Sequence, residues 1–277
     1  MDQKFIDLFD RFTHGAMNRR DFMERLRNIA GGAAAATAVL SVLENNYAHA
    51  AIIPENDARI KTEPATIGIP GYLVTPAQLS EKPGSVIVIH ENRGLNPHIM
   101  DVARRMAVEG FVAFAPDYLH GQGGTPADAD KARDMIGTLT PEGILADSQK
   151  VLAALQVNGK VGAVGFCWGG GLVNAFAVGD PALAAGIAYY GRQAPAAEVA
   201  KITAPLLLHY AGLDERINAG IADFEAALKA NKKTYELHLY EGANHAFNND
   251  TNAARYNKEA ADLAWGRTVG FLKKYLG

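Results

Sequence analysis

Short apolar runs alternate with longer amphipathic segments along most of this chain. The runs have the length and composition of strands that are covered on both faces, and they span residues 85–89, 111–115, 159–166, 185–190 and 205–211. Residues 235–240 alternate apolar and polar side chains, as a half-covered strand does. Segments that favour helices separate the strands, at residues 96–109, 126–137, 141–156, 218–230 and 253–275. With a hairpin at residues 65–76, the pattern predicts an α/β fold, a mostly parallel sheet flanked by helices on both faces.

The most specific chemical signal is the run Gly165-Phe166-Cys167-Trp168-Gly169, which ends one of the predicted strands. Its glycine spacing matches a nucleophile elbow, G-x-S-x-G, with cysteine in the serine position. The helix that is predicted to follow would place the thiol at a helix N-terminus, whose partial positive charge favours a thiolate. Because a lone cysteine is more often a small buried apolar residue, the assignment of Cys167 as a nucleophile depends on its partners.

Two partners follow in the order that such a fold requires, an acid and then a histidine. Asp214 comes just after strand 205–211, and His245 lies on the loop after strand 235–240. Chemistry in open parallel sheets takes place beyond the carboxyl ends of the strands, where all three residues are expected. Glu215 remains an alternative acid. The other histidines considered are assigned to strands or polar loops: His90, His98, His120, His209 and His238.

The loop after strand 85–89 is a further candidate for the site. In a nucleophile-elbow fold this loop donates one backbone N–H to the oxyanion hole, and the residue after the nucleophile donates the other. We therefore expect the backbone N–H groups of Asn92 and Trp168 to stabilise an oxyanion. Glu91 in the same loop is either a solvated acid or a carboxylate that faces Cys167 and holds a proton in the resting enzyme.

Together these motifs resemble the dienelactone hydrolase family, also called carboxymethylenebutenolidase, over residues 64–276. The resemblance rests on the following runs: His90-Glu91-Asn92-Arg93-Gly94, Ala115-Pro116-Asp117, Gly165 to Gly170, Tyr189-Tyr190-Gly191, the Asp214 loop and Asn244-His245-Ala246-Phe247. It implies an α/β-hydrolase fold with Cys167 as nucleophile, His245 as base and acid, and Asp214 as the residue that orients the histidine. It also implies that Glu91 couples ionisation of the thiol to substrate binding.

The chain departs from the family at the groups that bind the substrate. The characterised family members hold the substrate carboxylate with an arginine shortly after the catalytic histidine, and Asn249 stands at that position here. Arg133 loosely matches a second family arginine. Arg93 and Arg192 lie close to family motifs and either supply the missing charge or form structural ion pairs. The departure predicts weaker discrimination in favour of carboxylated lactones.

Composition narrows the function further. The 277 residues suffice for one α/β domain with an extension, and the net charge of −3, with no basic block, gives no sign of nucleic-acid binding. The single cysteine excludes a disulfide between two cysteines of this chain. No zinc-binding spacing, P-loop or dinucleotide fingerprint is present. We expect neither a metal nor a cofactor.

The N-terminal 50 residues have features of an export signal. The pair Arg19-Arg20 precedes a mildly apolar run at residues 29–43, and Ala48-His49-Ala50 offers a small-residue cleavage site. These features predict a twin-arginine signal over residues 1–50, a mature domain over residues 51–277 and a periplasmic location. The apolar run is too short to span a bilayer well. The acidic residues Asp2, Asp7, Asp10 and Glu24 favour the alternative, an amphipathic helix retained on a cytoplasmic enzyme.

The sequence therefore predicts a cysteine-dependent hydrolase of small-molecule esters or lactones that acts through a thioester. Two alternatives remain: a redox-sensing or ligand-binding protein on the same fold, and a thiol-dependent acyltransferase. A sensor thiol should be exposed and have no histidine within reach. The sequence leaves the native substrate and the oligomeric state open.

Overall fold

The computed structural model describes residues 1–47 and 50–277, so Ala48 and His49 of the predicted cleavage site lie outside the described residues. Eight strands form one sheet in the order β1-β2-β4-β3-β5-β6-β7-β8. They are β1 Ile60–Ile67, β2 Ile69–Pro76, β3 Ser85–Ile89, β4 Val112–Pro116, β5 Val161–Phe166, β6 Ala185–Tyr189, β7 Leu206–Ala211 and β8 Tyr235–Tyr240.

Pairing within the sheet confirms the predicted fold class. Strands β3 to β8 run parallel, while β1 and β2 form the predicted hairpin and join the sheet antiparallel at one edge. The hairpin is longer than predicted, since it begins at Ile60. Every residue of β3, β5, β6 and β7 is buried. Large apolar clusters on the two faces explain why these strands are continuously hydrophobic.

The helices cover both faces of this sheet and add a separate N-terminal group. They are α1 Gln3–Thr13, α2 Arg19–Ala30, α3 Ala33–Leu43, α4 Pro97–Val108, α5 Ala129–Ile136, α6 Pro141–Gln156, α7 Trp168–Gly179, α8 Glu215–Asn218, α9 Ile221–Ala230 and α10 Lys258–Leu276. Three begin later than predicted. Helix α9 begins at Ile221 rather than at residue 218, after the short helix α8, and a capping side chain fixes the start of α5 and α10. Asp128 accepts from the first backbone N–H groups of α5, and Asn257 accepts from Ala260 N in α10.

The segment predicted as an export signal folds as α1–α3 around its own apolar cluster. The buried members of this cluster are Ile6, Leu8, Phe9, Phe12, Phe22, Leu26, Ala36 and Leu43. It joins the sheet domain where Asn252 Nδ2 donates to the Leu43 carbonyl at 2.5 Å. Among the described residues no single helix has the length and apolar character to cross a membrane. Helices α2 and α3 together have that length and composition, but their axes meet at a bend of 112°.

Candidate active site

The predicted site residues follow the carboxyl ends of the parallel strands, at the same end of the sheet. Strands β3, β5, β7 and β8 are parallel neighbours or near neighbours, and their carboxyl ends lead directly into the loops that carry Glu91, Cys167, Asp214 and His245. Because parallel strands end at the same edge, four loops far apart in sequence meet there. The order of the chain, nucleophile, acid and histidine, is the one predicted from the sequence.

Cys167 occupies a strained turn between β5 and α7. Its backbone has φ 55° and ψ −113°, a conformation that L-residues rarely adopt. Its N–H donates to the Tyr189 carbonyl at 3.0 Å. A β-carbon on Gly169 would lie 2.5 Å from the carbonyl oxygens of Ile89 and His90, and one on Gly165 would overlap the Gly169 backbone. Only glycine at these two positions lets the turn close and hold the thiol out of the sheet.

His245 and Asp214 form a buried imidazole–carboxylate pair. His245 Nδ1 lies 2.5 Å from Asp214 Oδ2, and both side chains are almost fully buried. The other Asp214 oxygen accepts from Ile217 N at 3.2 Å, which fixes the carboxylate at the start of α8. His245 Nε2 is buried and has no hydrogen-bond partner among residues 1–47 and 50–277, so it is free to meet a reacting group. Glu215, the alternative acid, is exposed.

A second histidine, which the sequence analysis did not select, reaches the thiol from the N-terminal helices. His14 Nε2 lies 3.3 Å from Cys167 Sγ, and His14 Nδ1 lies 2.8 Å from the Asp10 carbonyl oxygen and 3.2 Å from Asp10 Oδ1. The His14 and His245 rings are 4.6 Å apart and nearly perpendicular, at 83°. The available signal was the i, i+4 spacing of Asp10 and His14 beside Phe9 on an amphipathic helix.

The two imidazoles favour a charged thiolate. Burial acts to raise the pKa of Cys167, but the positive charges of His245 and His14 outweigh it and lower that pKa to about 6. Burial acts to lower the pKa of His245, yet the thiolate, Asp214 and Asp10 together raise it to about 10. The pKa of His14 is also raised, against its burial, by Cys167 and Asp10. The site therefore favours a thiolate–imidazolium state over a neutral one.

Glu91 contacts a neighbour other than the thiol. Its Oε2 accepts from Asn249 Nδ2 at 2.8 Å, and Asn249 Oδ1 accepts from Thr251 Oγ1 at 2.6 Å. Both Glu91 and Asn249 are buried. Asn249 does not line the cavity in front of Cys167, although the sequence analysis offered it as a substrate contact. Its amide is committed to holding the carboxylate of the loop after β3.

The two predicted oxyanion donors, Asn92 and Trp168, line the cavity that contains Cys167. Trp168 is the first residue of α7, so its N–H has no acceptor within the helix. Asn92 lines the same cavity, and its Nδ2 donates to the Thr13 carbonyl at 2.8 Å. The Trp168 indole stacks on the His90 ring at 5.2 Å and 11°. These contacts fix both loops around the position where a substrate carbonyl would lie.

A cavity of about 1330 Å³ opens in front of Cys167, His14 and His245. Its walls are largely apolar and include Ile136, Ile144, Leu145, Leu172 and Ile217.

Three arginines line this cavity, and they differ in their partners. Arg133 pairs with Asp130 and Asp134, and Arg216 lies 3.6 Å from Asp10. Arg192 is exposed to the cavity and, among the described residues, has no carboxylate within 4.0 Å. Arg93, the other predicted arginine, lies outside the cavity lining and contacts Asp130 at 3.5 Å. Arg192 is therefore the cation best placed to meet an anionic substrate.

The Cys167 thiol and the two histidines beside it could together hold a metal ion. One ligand atom each from His14, Cys167 and His245 lies within 4.8 Å of the other two. Asp10 and Asp214 orient the two imidazoles, as second-sphere carboxylates do in metal sites. The expectation that no metal binds rested on the absence of CxxC spacings and of His/Cys clusters in the sequence.

Comparison with known proteins bears on the fold and on the N-terminal helices. The model of the dienelactone hydrolase family matches residues 69–276. A separate family model, described as YqhI-like, matches residues 1–31. The first match covers the sheet and all its strands from β2 onward, and the second covers α1 and α2.

Curated relatives and solved structures agree with the first match. A "Putative carboxymethylenebutenolidase" of Saccharolobus solfataricus is 36% identical over 247 residues, covering 74% of this chain and 94% of its own length. A protein of the same name from Escherichia coli K12 is 31% identical over 228 residues, covering 76% and 83%. The solved structure of a "Putative Dienelactone Hydrolase" from Klebsiella pneumoniae has a TM-score of 0.71 at 28% identity, covering 78% of this chain and 99% of its own.

Proposed function

Since this chain belongs to the dienelactone hydrolase family, we propose that it hydrolyses lactones or carboxylic esters with Cys167 as nucleophile, His245 as acid and base, and Asp214 as the orienting carboxylate. One observation carries the proposal. A thiol whose pKa is lowered to about 6 stands on a nucleophile elbow, with an Asp214-bound histidine within reach, at the base of an apolar cavity.

Acylation begins from the thiolate–imidazolium pair. The Cys167 sulfur attacks the carbonyl carbon, and the carbonyl electrons move to the oxygen, where the Asn92 and Trp168 N–H groups are proposed to stabilise the negative charge. As the tetrahedral intermediate collapses, the bond to the ester oxygen breaks. The His245 imidazolium gives its proton to the leaving alkoxide. The acyl group then remains on Cys167 as a thioester.

Deacylation reverses these roles. A histidine takes a proton from water as the water oxygen attacks the thioester carbonyl, and the carbon–sulfur bond then breaks to release the acid. Asp214 holds His245 with Nδ1 protonated, so that Nε2 faces the reacting groups in both half-reactions. Glu91 stays the proposed thiol-coupling acid. Its hydrogen bond from Asn249 supports a role in fixing the loop that carries Asn92.

The cavity supports a small substrate that is apolar with one anionic or polar end. Apolar side chains form most of its wall, and Arg192 offers an uncommitted positive charge. A redox-sensing function fits less well, because Cys167 is only 9% exposed and has two imidazoles within reach. Hydrolysis through Cys167 uses both the shielded thiol and the imidazoles beside it.

Export remains a separate proposal. The Arg19-Arg20 pair and the apolar run after it support passage through the twin-arginine route to the periplasm, with a cytoplasmic enzyme as the alternative. In either location the contacts of α1 with the active site favour a chain that keeps its N-terminal helices.

The proposed function is tested by assaying the full chain on a panel of lactones and carboxylic esters. We expect hydrolysis of at least one class, and loss of several orders of magnitude in rate in Cys167→Ala. Circular dichroism and a melting curve confirm that the variant is folded. Equal activity in Cys167→Ala would refute a cysteine-dependent hydrolase.

A further inference from the structure

We propose that helix α1 supplies a second catalytic imidazole, His14, to the Cys167 nucleophile, and that the active site is complete only when the N-terminal helices are in place. This inference rests on the proposed function, since it takes Cys167 to be the nucleophile. Nothing in the match to the dienelactone hydrolase model covers His14, because that match begins at residue 69.

The contacts of His14 reproduce those of His245. In each case one ring nitrogen faces Cys167 and the other is held by an aspartate. Because His14 Nδ1 faces the Asp10 carbonyl oxygen and the Asp10 carboxylate, which only accept, the proton of the neutral ring resides on Nδ1. Nε2 faces the sulfur 3.3 Å away, so it carries a proton while Cys167 is a thiolate and exposes a lone pair, as a general base does, once that proton is lost.

Helix α1 is fastened at both ends to loops of the site. At its beginning Gln3 Nε2 donates to Asn244 Oδ1 at 2.5 Å, beside His245. At its end Asn92 Nδ2 donates to the Thr13 carbonyl at 2.8 Å, beside the proposed oxyanion position. His14 follows as the C-terminal cap of the helix, where the helix dipole favours a protonated imidazole. These contacts fix the position of His14 relative to the loops that carry Asn92 and His245.

Charged groups around His14 come from three elements. Asp10 lies on the same helix, Cys167 on the elbow and His245 on the loop after β8. Asp10 also faces Arg216 at 3.6 Å and Arg255 at 4.0 Å, so its carboxylate is held ionised and is shared among several cations. The thiolate and Asp10 raise the pKa of His14, and the His245 imidazolium opposes this.

A second base solves a problem that lactones pose. When a lactone is opened, the released hydroxyl stays covalently attached to the acyl group, next to the His245 that gave it a proton. That hydroxyl competes with the attacking water for His245, so a second base speeds the attack of water. Once Cys167 is a thioester, the negative charge that raised the pKa of His14 is gone, so the His14 imidazolium releases its Nε2 proton to solvent and the neutral Nε2 can accept a proton from the attacking water. As the carbon–sulfur bond breaks, the sulfur leaves as a thiolate beside the His14 imidazolium, and the released carboxylic acid gives its proton to His245, which restores the thiolate–imidazolium state.

The test uses the full chain and four proteins: wild type, His14→Gln, Asp10→Asn and the control His120→Gln. His120 lies outside the cavity and bonds Asp147 at 2.9 Å. The first measurement is the pH dependence of iodoacetamide alkylation, which reports only on Cys167 because the chain has one cysteine. The second is pre-steady-state hydrolysis of a lactone, in which acyl-enzyme is followed by rapid-quench mass spectrometry, with a chelator present to keep metal ions off the site.

We expect His14→Gln to raise the pKa of the thiol above its wild-type value of about 6. At about pH 5 the alkylation rate should then fall roughly tenfold for each pKa unit gained. Deacylation should slow by about tenfold to a hundredfold, so that acyl-enzyme accumulates in a burst. Asp10→Asn, which only positions His14, should shift the alkylation profile in the same direction by less. His120→Gln should match wild type in both measurements.

Alkylation does not require turnover, so the inference can fail separately from the proposed function. Superimposed alkylation profiles for wild type and His14→Gln, with equal melting temperatures, would overturn the role of His14 even in an active hydrolase. If wild type hydrolyses no substrate, the proposed function is refuted. The alkylation profiles still decide whether His14 lowers the pKa of Cys167. Should His14→Gln fold poorly, an unchanged profile in a folded Asp10→Asn variant would also count against the inference.

Discussion

Cys167 is a buried thiol whose charge is set by its neighbours. Burial alone would keep it protonated, because a thiolate is poorly solvated inside a protein. Two imidazoles face it, and each is held by an aspartate that makes positive charge on the ring favourable. The residue therefore combines shielding from solvent with nucleophilic reactivity at neutral pH.

The first prediction concerns the pH dependence of this thiol. Alkylation of Cys167 in wild type should rise with a midpoint near pH 6, because the pKa of the thiol falls from 9.0 to about 6. The pair should stay thiolate–imidazolium until the pH approaches 10, where His245 loses its proton. Iodoacetamide kinetics across this range provide the measurement. A midpoint near the ordinary thiol value would contradict the electrostatic account.

The second prediction separates the two adjacent acids. Asp214→Asn should lower kcat/KM by about three to four orders of magnitude, as loss of the orienting carboxylate does in serine-protease triads. Glu215→Gln is the matched control: its side chain is exposed, and it should retain activity near that of wild type. Steady-state kinetics on one active ester suffice. The opposite ranking of the two variants would reassign the acid to Glu215.

At the scale of elements, the elbow requires β5, its turn and α7 to approach the end of β3 closely. Gly169→Ala should destabilise the fold by about 1–3 kcal/mol, because the new β-carbon would lie 2.5 Å from two carbonyl oxygens. Gly266→Ala in α10 is the control. Its β-carbon meets nothing within 4 Å, so stability should rise by about 0.5–1 kcal/mol. Urea unfolding measures both, and equal stability of the two variants would argue against close packing at the elbow.

The N-terminal helices raise a second prediction at this scale. Their cluster and their contacts with Asn92 and Asn252 predict that the mature protein keeps residues 1–50. Peptide mapping of protein from its native host by mass spectrometry should then recover peptides from residues 1–50. A chain beginning at Ala51 would establish cleavage of the predicted signal, and it would also show that the mature enzyme works without His14.

Sequence reasoning succeeded where the signal is local. The central strands β3, β5, β6 and β7 are continuously apolar, and the glycine spacing marks the elbow, so their positions followed from short patterns. His14 escaped because its partner Cys167 is 153 residues away and no local pattern links them. The paired arginines led to the prediction of export, whereas the apolar residues of α1–α3 are the ones that pack in the N-terminal cluster. The hydrogen bond of Asn249 to Glu91 likewise depends on tertiary structure alone.

At the scale of the whole molecule, the sheet and the N-terminal helices together line the active-site cavity, where Arg192 has no carboxylate within 4.0 Å among residues 1–47 and 50–277. Arg192→Gln should lower the preference for a carboxylated lactone over its methyl ester by about twofold to fivefold, a range typical of exposed ion pairs. Arg93→Gln is the control, because Arg93 lies outside the cavity and contacts Asp130. The measurement is the ratio of kcat/KM for the carboxylated lactone to kcat/KM for its methyl ester, compared between wild type and each variant. An equal loss in both variants would mean that overall charge, rather than Arg192, sets the preference.

The central claim is that this molecule hydrolyses its substrate through a thioester on Cys167, and rapid-quench mass spectrometry tests it most directly. Wild-type protein mixed with a reactive ester is quenched in acid within the first turnover and digested. The account predicts that the peptide containing Cys167 gains the mass of the acyl group, that the adduct disappears as product forms, and that Cys167→Ala forms neither adduct nor product. Continued hydrolysis in Cys167→Ala, or product formation in wild type with no acyl group on Cys167, would contradict it.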